Sequence, residues 1–163
     1  MSNAKTFGVD CGTMFFQVAE ETGGKTKVKT TRNSFVELQE TDDIEDQLKR
    51  NNWQYVKDES SYFVIGEDSI RVANMFPGKV ELRRPLQDGV LNKGEEKKML
   101  VLTELIRSSI GKAPTSDSVV CTCVSSESAD GSVDSKYHKA RLTGIFKTLG
   151  WTVKIIEEGH AVI

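Results

Sequence analysis

The sequence predicts an α/β protein: a mixed sheet, with an antiparallel three-strand meander followed by parallel strands, flanked by helices and carrying a small inserted subdomain. Two observations lead there. The first 38 residues break into short extended segments separated by turn residues. Later, two long helical patterns alternate with apolar strands, the arrangement that builds parallel pairing.

The elements follow in order. Lys5 to Val9 reads as a first strand, Met14 to Glu21 as a second, and Gly23-Gly24 as the turn into a third, Lys25 to Thr31. Asn33 to Leu38 continues as a short extended piece. Residues 39–62 are the most polar stretch; Thr41-Asp42-Asp43 caps a short helix holding Ile44 and Leu48, and Asn51-Asn52 closes it. Tyr62 to Gly66 is a buried strand. Glu67 to Met75 is helical and stops near Pro77-Gly78. Val80 to Val90 is extended chain with a turn. From Glu95 to Ile110 runs the clearest helix, with Met99, Leu102, Ile106 and Ile110 on one face, Leu105 beside them, and Gly111 as its stop. Ser118 to Ser125 is a buried strand. A helix from about Asp134 to Leu149 places Tyr137, Arg141, Ile145 and Leu149 on one side, with Leu142 and Phe146 adjoining. Trp151 to Ile156 is the last apolar strand.

The chain has 163 residues, a formal charge of −2, 37% hydrophobic and 28% charged residues, which fits one domain, or one domain with a small insertion. No basic stripe with interleaved aromatics favours direct nucleic-acid binding. No apolar run is long enough for a transmembrane segment. The first residues lack the apolar core of a secretion signal. Cys11, Cys121 and Cys123 are an odd, small set of thiols, expected to be reduced in a cytoplasmic protein. Cys121 and Cys123, two apart on a strand, face one side as buried small hydrophobes. Neither His138 nor His160 completes a metal pattern with them.

The chemistry concentrates at Phe7-Gly8-Val9-Asp10-Cys11-Gly12-Thr13. An apolar strand carries one carboxylate into a tight Gly-Thr turn, and Met14 to Ala19 leads back out. Gly12 allows close approach of an anion, turn N–H groups suit phosphate oxygens, and Asp10 offers a hard oxygen to hydrated Mg²⁺. The same residues also read as a plain hairpin turn. Asp88-Gly89 reads as a structural turn pair. Ser125, Ser126 and Ser128 are hydroxyls without a clear base, so a hydrolase triad is not supported.

Four segments resemble the actin and seventy-kilodalton heat-shock chaperone ATPase superfamily, and most closely the bacterial cell-shape and plasmid-segregation actins. They are Asp10-Cys11-Gly12-Thr13, Val64-Ile65-Gly66-Glu67-Asp68, Arg84-Pro85-Leu86-Gln87-Asp88-Gly89-Val90 and Ile155-Ile156-Glu157-Glu158-Gly159-His160-Ala161, in that order, with Asn33-Ser34-Phe35 as a lesser match. The resemblance implies a ribonuclease-H-like fold over residues 1–38 and 81–163, with residues 39–80 as the small outer subdomain. It implies that ATP or ADP with Mg²⁺ is held by Asp10, Cys11, Gly12, Thr13, Met14 and Gln17, the metal through water on Asp10. Glu158 falls where the family's water-orienting residue lies. The implied partners are further copies of the chain, in filaments, and a C-terminal domain or partner lobe bearing the second phosphate loop and adenosine pocket. Without that lobe the chain is expected to bind ATP weakly. Gln17 stands where family members use a lysine, and Gly159-His160 replace Pro-Met. These departures keep a non-catalytic scaffold or interaction module open. A ribonuclease-H-like nuclease, with Glu104 as a second metal ligand, is the remote alternative.

Overall fold

A computed structural model of the chain describes residues 4–91, 96–125 and 135–158. The elements are β1 (Thr6–Cys11), β2 (Phe15–Thr22), β3 (Lys25–Arg32), β4 (Phe35–Gln39), α1 (Ile44–Arg50), β5 (Tyr55–Asp58), β6 (Ser61–Ile65), α2 (Glu67–Met75), β7 (Leu82–Arg83), α3 (Glu96–Ile110), β8 (Val119–Val124), α4 (Ser135–Thr148) and β9 (Thr152–Glu157).

They form two sheets. The larger has the order β3-β2-β1-β8-β9. β1, β2 and β3 are an antiparallel meander; β8 runs parallel to β1, and β9 parallel to β8. The fold is thus mixed α/β with a mixed sheet. Alternation sends Phe7, Val9, Phe16, Val18, Val120 and Val124 to one face. There they meet Leu102, Ile106 and Ile110 of α3 and Leu142, Ile145 and Phe146 of α4. Each fully buried Leu or Phe in this core stabilises the fold by roughly 1.5–3 kcal/mol. The opposite face carries Gly8, Asp10, Gln17, Ala19, Cys121 and Cys123, which line an open cavity of about 300 Å³.

That arrangement corrects the expected burial of Cys121 and Cys123. Both are half-buried, while Val120, Thr122 and Val124 between and beside them are buried. Periodicity places the two thiols on one side of β8, but the helices cover the other side.

The smaller sheet has the order β5-β6-β4-β7, antiparallel throughout. It takes in Phe35–Gln39, which leads into the polar stretch that begins at residue 39. β5 arises in a stretch where no strand is evident from the sequence. β6 is buried at every position because both its faces are covered. On one face Phe35, Phe63 and Ile65 pack on Val101 and Leu105 of α3. On the other, Val36, Tyr62 and Val64 pack with Leu48 of α1 and Val72 of α2. α3 therefore lies between the sheets. Residues one step round its surface, Val101 against Leu102 and Leu105 against Ile106, serve different cores. Lys97 on α3 and Arg83 on β7 both pair with Glu37, at 2.7 and 3.0 Å. The hydrogen bond from Lys97 chiefly holds the Glu37 carboxyl below its usual range.

Two local expectations change. Asp43 precedes α1 without a side-chain cap hydrogen bond. The buried stripe of α4 runs through Ser135, His138, Leu142, Ile145 and Phe146, while Arg141 faces out. His138 is polar, so apolar periodicity alone rotates the face away from it. Among the described residues, no helix is long and apolar enough to cross a membrane.

Candidate functional site

Strand register assembles the site. Val9 lies beside Thr122 on β8, which brings Asp10 next to Cys123. Val124 lies beside Glu157 on β9, which brings the following residues, Ser125 and Glu158, together. The turn after β1 and the chain after β8 and β9 thus leave the sheet at one edge, the carboxyl ends of parallel strands. Ligands in open α/β sheets bind outside those ends.

The turn from Gly12 to Met14 is shaped from behind by Asn33. The Asn33 Nδ2 donates to the Gly12 carbonyl at 2.8 Å, and its main-chain N–H donates to the Met14 carbonyl at 3.0 Å. In a planar trans peptide the carbonyl of one residue and the N–H of the next point opposite ways. Drawing the Gly12 carbonyl onto Asn33 therefore turns the Thr13 N–H to the other side of the bend. A Cβ added at Gly12 would sit 3.0 Å from the Phe15 carbonyl oxygen, a main-chain atom with little freedom to yield. The hairpin itself thus favours glycine here, besides allowing a close anion.

A second turn closes against the first. Gln87 and Val90 exchange main-chain hydrogen bonds of 2.9 and 3.0 Å around Asp88 and Gly89. Both central residues have positive φ, 52° and 78°, as a type I′ turn needs. The Gly89 N–H donates to the Thr13 hydroxyl oxygen at 2.8 Å. That leaves the Thr13 hydroxyl proton able to donate to an anion. One residue beyond the turn, the Leu91 N–H donates to His138 Nδ1 at 3.1 Å. Burial pushes His138 down to about 4, so it stays a neutral acceptor. His138 is 2% exposed and anchors the turn to α4.

Asp10 is exposed on the uncovered sheet face, beside Gln17 across the β1–β2 pair. The Cys123 thiol donates to Asp10 Oδ1 at 3.6 Å. Burial, then the Asp10 charge, raise Cys123 to about 11, which keeps it protonated and a donor. The Gln17 amide donates to Thr30 at 3.2 Å, so it is tied to the sheet. Met14 is 47% exposed at the turn. Cys11, expected among the nucleotide contacts, has a side chain that is 5% exposed and faces the helix-covered core. Only its main chain remains available to a ligand. The reason is alternation, which sends neighbouring side chains of β1 to opposite faces.

Glu158 is exposed at the end of β9 and accepts from the Ser125 hydroxyl at 3.1 Å. A Cβ added at Gly89 would meet the same Ser125 oxygen at 3.1 Å, so the Asp88–Gly89 turn lies beside the Ser125–Glu158 pair as well as against Thr13. Glu104 is bound to Arg107 by two hydrogen bonds on α3. Ser126, Ser128, Gly159, His160 and Ala161 lie outside the described residues.

The edge therefore offers one hard carboxylate, turn N–H groups, a hydroxyl proton and a second carboxylate. Among the described residues, no group of three or more His, Cys, Asp or Glu converges as a metal cage. A single carboxylate fits Mg²⁺ that keeps most of its waters and is shared with phosphates. Asn33, His138 and Ser125 have supporting roles that sequence reasoning does not assign. The signals for them are weak: Asn33 and Ser125 immediately follow strands, and His138 interrupts an apolar stripe.

Comparison with known proteins gives one family match. The family model described as Volactin matches residues 5–163. No curated protein matches the chain.

Proposed function

The chain belongs to the Volactin family, and from that premise we propose that it is the N-terminal half of an actin-like, filament-forming ATPase with a ribonuclease-H-like core. The observation that carries the reading is the convergence of Asp10, the Asn33-braced Gly12–Met14 turn and Glu158 at one sheet edge. The strand order β3-β2-β1-β8-β9 supports the core assignment.

In this reading Asp10 would hold Mg²⁺ through water, and the Thr13 N–H and hydroxyl would donate to the β- and γ-phosphates of ATP. When bound, Mg²⁺ would neutralise charge on the phosphates. Glu158 would orient the attacking water and take its proton as the new O–P bond forms and the bond from the γ-phosphorus to the departing ADP breaks, with Ser125 fixing one carboxylate oxygen. Phosphoryl transfer depends mainly on such positioning and charge stabilisation. Filaments of further copies would be controlled by the nucleotide state, and the adenosine pocket would come from a C-terminal domain or partner lobe.

Phosphate release by the intact protein tests this, with filaments viewed by electron microscopy in ATP and in a non-hydrolysable analogue. Glu158→Gln is expected to cut release by about 100-fold or more while ATP binding persists. Wild-type protein that binds ATP but releases no phosphate would favour the second reading, a non-catalytic scaffold. The attachment of Gln17 to Thr30 supports that alternative, because the position lacks a cation aimed at phosphate. For the nuclease reading, the pairing of Glu104 with Arg107 is unfavourable.

A further inference from the structure

Asn33 lies where β3 leaves the larger sheet and β4 enters the smaller one. Its two donors grip the carbonyls of Gly12 and Met14, as described above. The residue is fully buried, and its Oδ1 has no hydrogen-bond partner among the described residues. The carboxamide cannot be reversed to help that oxygen, because Oδ1 would then face the Gly12 carbonyl, acceptor against acceptor. A buried acceptor without a donor destabilises a fold. Stability alone therefore does not account for asparagine here. It is the shortest neutral side chain that brings an amide donor to the Gly12 carbonyl, and the unpaired oxygen comes with it.

The following residue makes Asn33 a fixed brace. The Ser34 carbonyl accepts from the Gly66 N–H at 2.9 Å, and the Ser34 and Ser69 hydroxyls bond at 2.7 Å, all within buried structure at the start of α2. Asn33 is thus fastened on the side away from the turn.

We propose that Asn33 is a positioning residue for the anion-binding turn: by holding the Gly12 carbonyl it aims the Thr13 N–H at the phosphate chain of the ligand. This rests on the phosphate-binding reading of that turn. Removing the Nδ2 donor frees the Gly12–Thr13 peptide to rotate. In Asn33→Asp a carboxylate oxygen would oppose the Gly12 carbonyl, favouring rotation of the Thr13 N–H toward residue 33 and away from the phosphates.

The test compares wild type, Asn33→Asp and Asn33→Ala in the intact protein. Calorimetry measures Mg-ATP and AMP affinity, circular dichroism checks folding, and the Thr13 amide resonance is followed as inorganic tripolyphosphate is added. Expected in folded variants is a loss of at least tenfold in Mg-ATP affinity, little change for AMP, and a Thr13 amide that no longer responds to tripolyphosphate. A folded variant with wild-type Mg-ATP affinity and an unchanged Thr13 response overturns the proposal. If wild type responds to tripolyphosphate but does not bind Mg-ATP, the ATP reading fails, and the variants' response to tripolyphosphate decides the role of Asn33. A wild-type Thr13 amide that ignores both ligands overturns both. If neither variant folds, hydrogen exchange of the wild-type Asn33 carboxamide decides. Protection that persists with a Thr13 response supports the brace, and free exchange refutes it.

Discussion

The main-chain N–H of Gly89 donates to the hydroxyl of Thr13 at 2.8 Å, across 76 residues of sequence. Through that bond the turn after β1 rests on a second turn, which lies beside Ser125 and hangs from His138.

Gly89→Ala should destabilise the protein by about 1–3 kcal/mol, because an alanine at φ 78° is strained and its Cβ meets Ser125 Oγ at 3.1 Å. Ser125→Ala removes the opposing oxygen. Thermal unfolding of the double variant should therefore reveal a cost smaller than the sum of the two singles by roughly 0.5 kcal/mol or more. Strict additivity would mean the turn and Ser125 are not in contact.

Asp10→Asn should make Cys123 more reactive. The carboxylate is the second cause of the raised thiol value, after burial, and replacing it removes charge repulsion against the thiolate. Alkylation at pH 8, resolved by residue with mass spectrometry, is expected to rise by roughly 3–10-fold at Cys123. An unchanged rate would show that the pair is not in contact in solution.

His138 should make the fold acid-sensitive. Its folded value, about 4, lies below the ordinary 6.5. The unfolded chain therefore takes up a proton first as pH falls, and stability declines from about 6.5 down to about 4. The full loss is about 3 kcal/mol at 1.4 kcal/mol per pH unit. Above pH 7 the group contributes no slope. His138→Asn should remove this slope from denaturant midpoints measured between pH 7 and 4.5 while keeping an acceptor for Leu91. A slope equal to wild type would place the acid sensitivity elsewhere.

Leu102→Ala and Leu105→Ala should each cost about 2–5 kcal/mol, since both side chains are fully buried. Their local effects should differ, because Leu102 fills the core of the larger sheet and Leu105 that of the smaller. Hydrogen exchange is expected to quicken in β1 and β8 for the first and in β6 for the second. Identical exchange patterns would contradict the two-sided packing of α3.

Much of the fold is legible because its signals are local. The strand from Lys5 to Val9, the glycine pair at 23 and 24, and the spacing of Leu102, Ile106 and Ile110 depend only on strand, turn and helix stereochemistry. β5 is harder to read. Its residues are polar or half-buried, and pairing with β6 makes them a strand. Similarly, Phe35–Gln39 joins the smaller sheet because β6 and β7 offer edges there, which no property of those five residues announces. Within the site, Asp10, Gly12 and Thr13 stand out as a carboxylate entering a glycine turn. Asn33, Ser125 and His138 do not, since their work depends on partners 21, 33 and 47 residues away.

By itself, then, the amino-acid sequence determined the strand–turn–strand that presents Asp10 and the two long amphipathic helices. Those features follow from backbone period and turn stereochemistry within a few residues. Only the tertiary structure decided which sheet face α3 and α4 cover, which residues brace the Gly12–Met14 turn, and that Ser125 meets Glu158. Such choices are made by register and packing between distant segments, where hydrogen-bond partners are set by proximity in space.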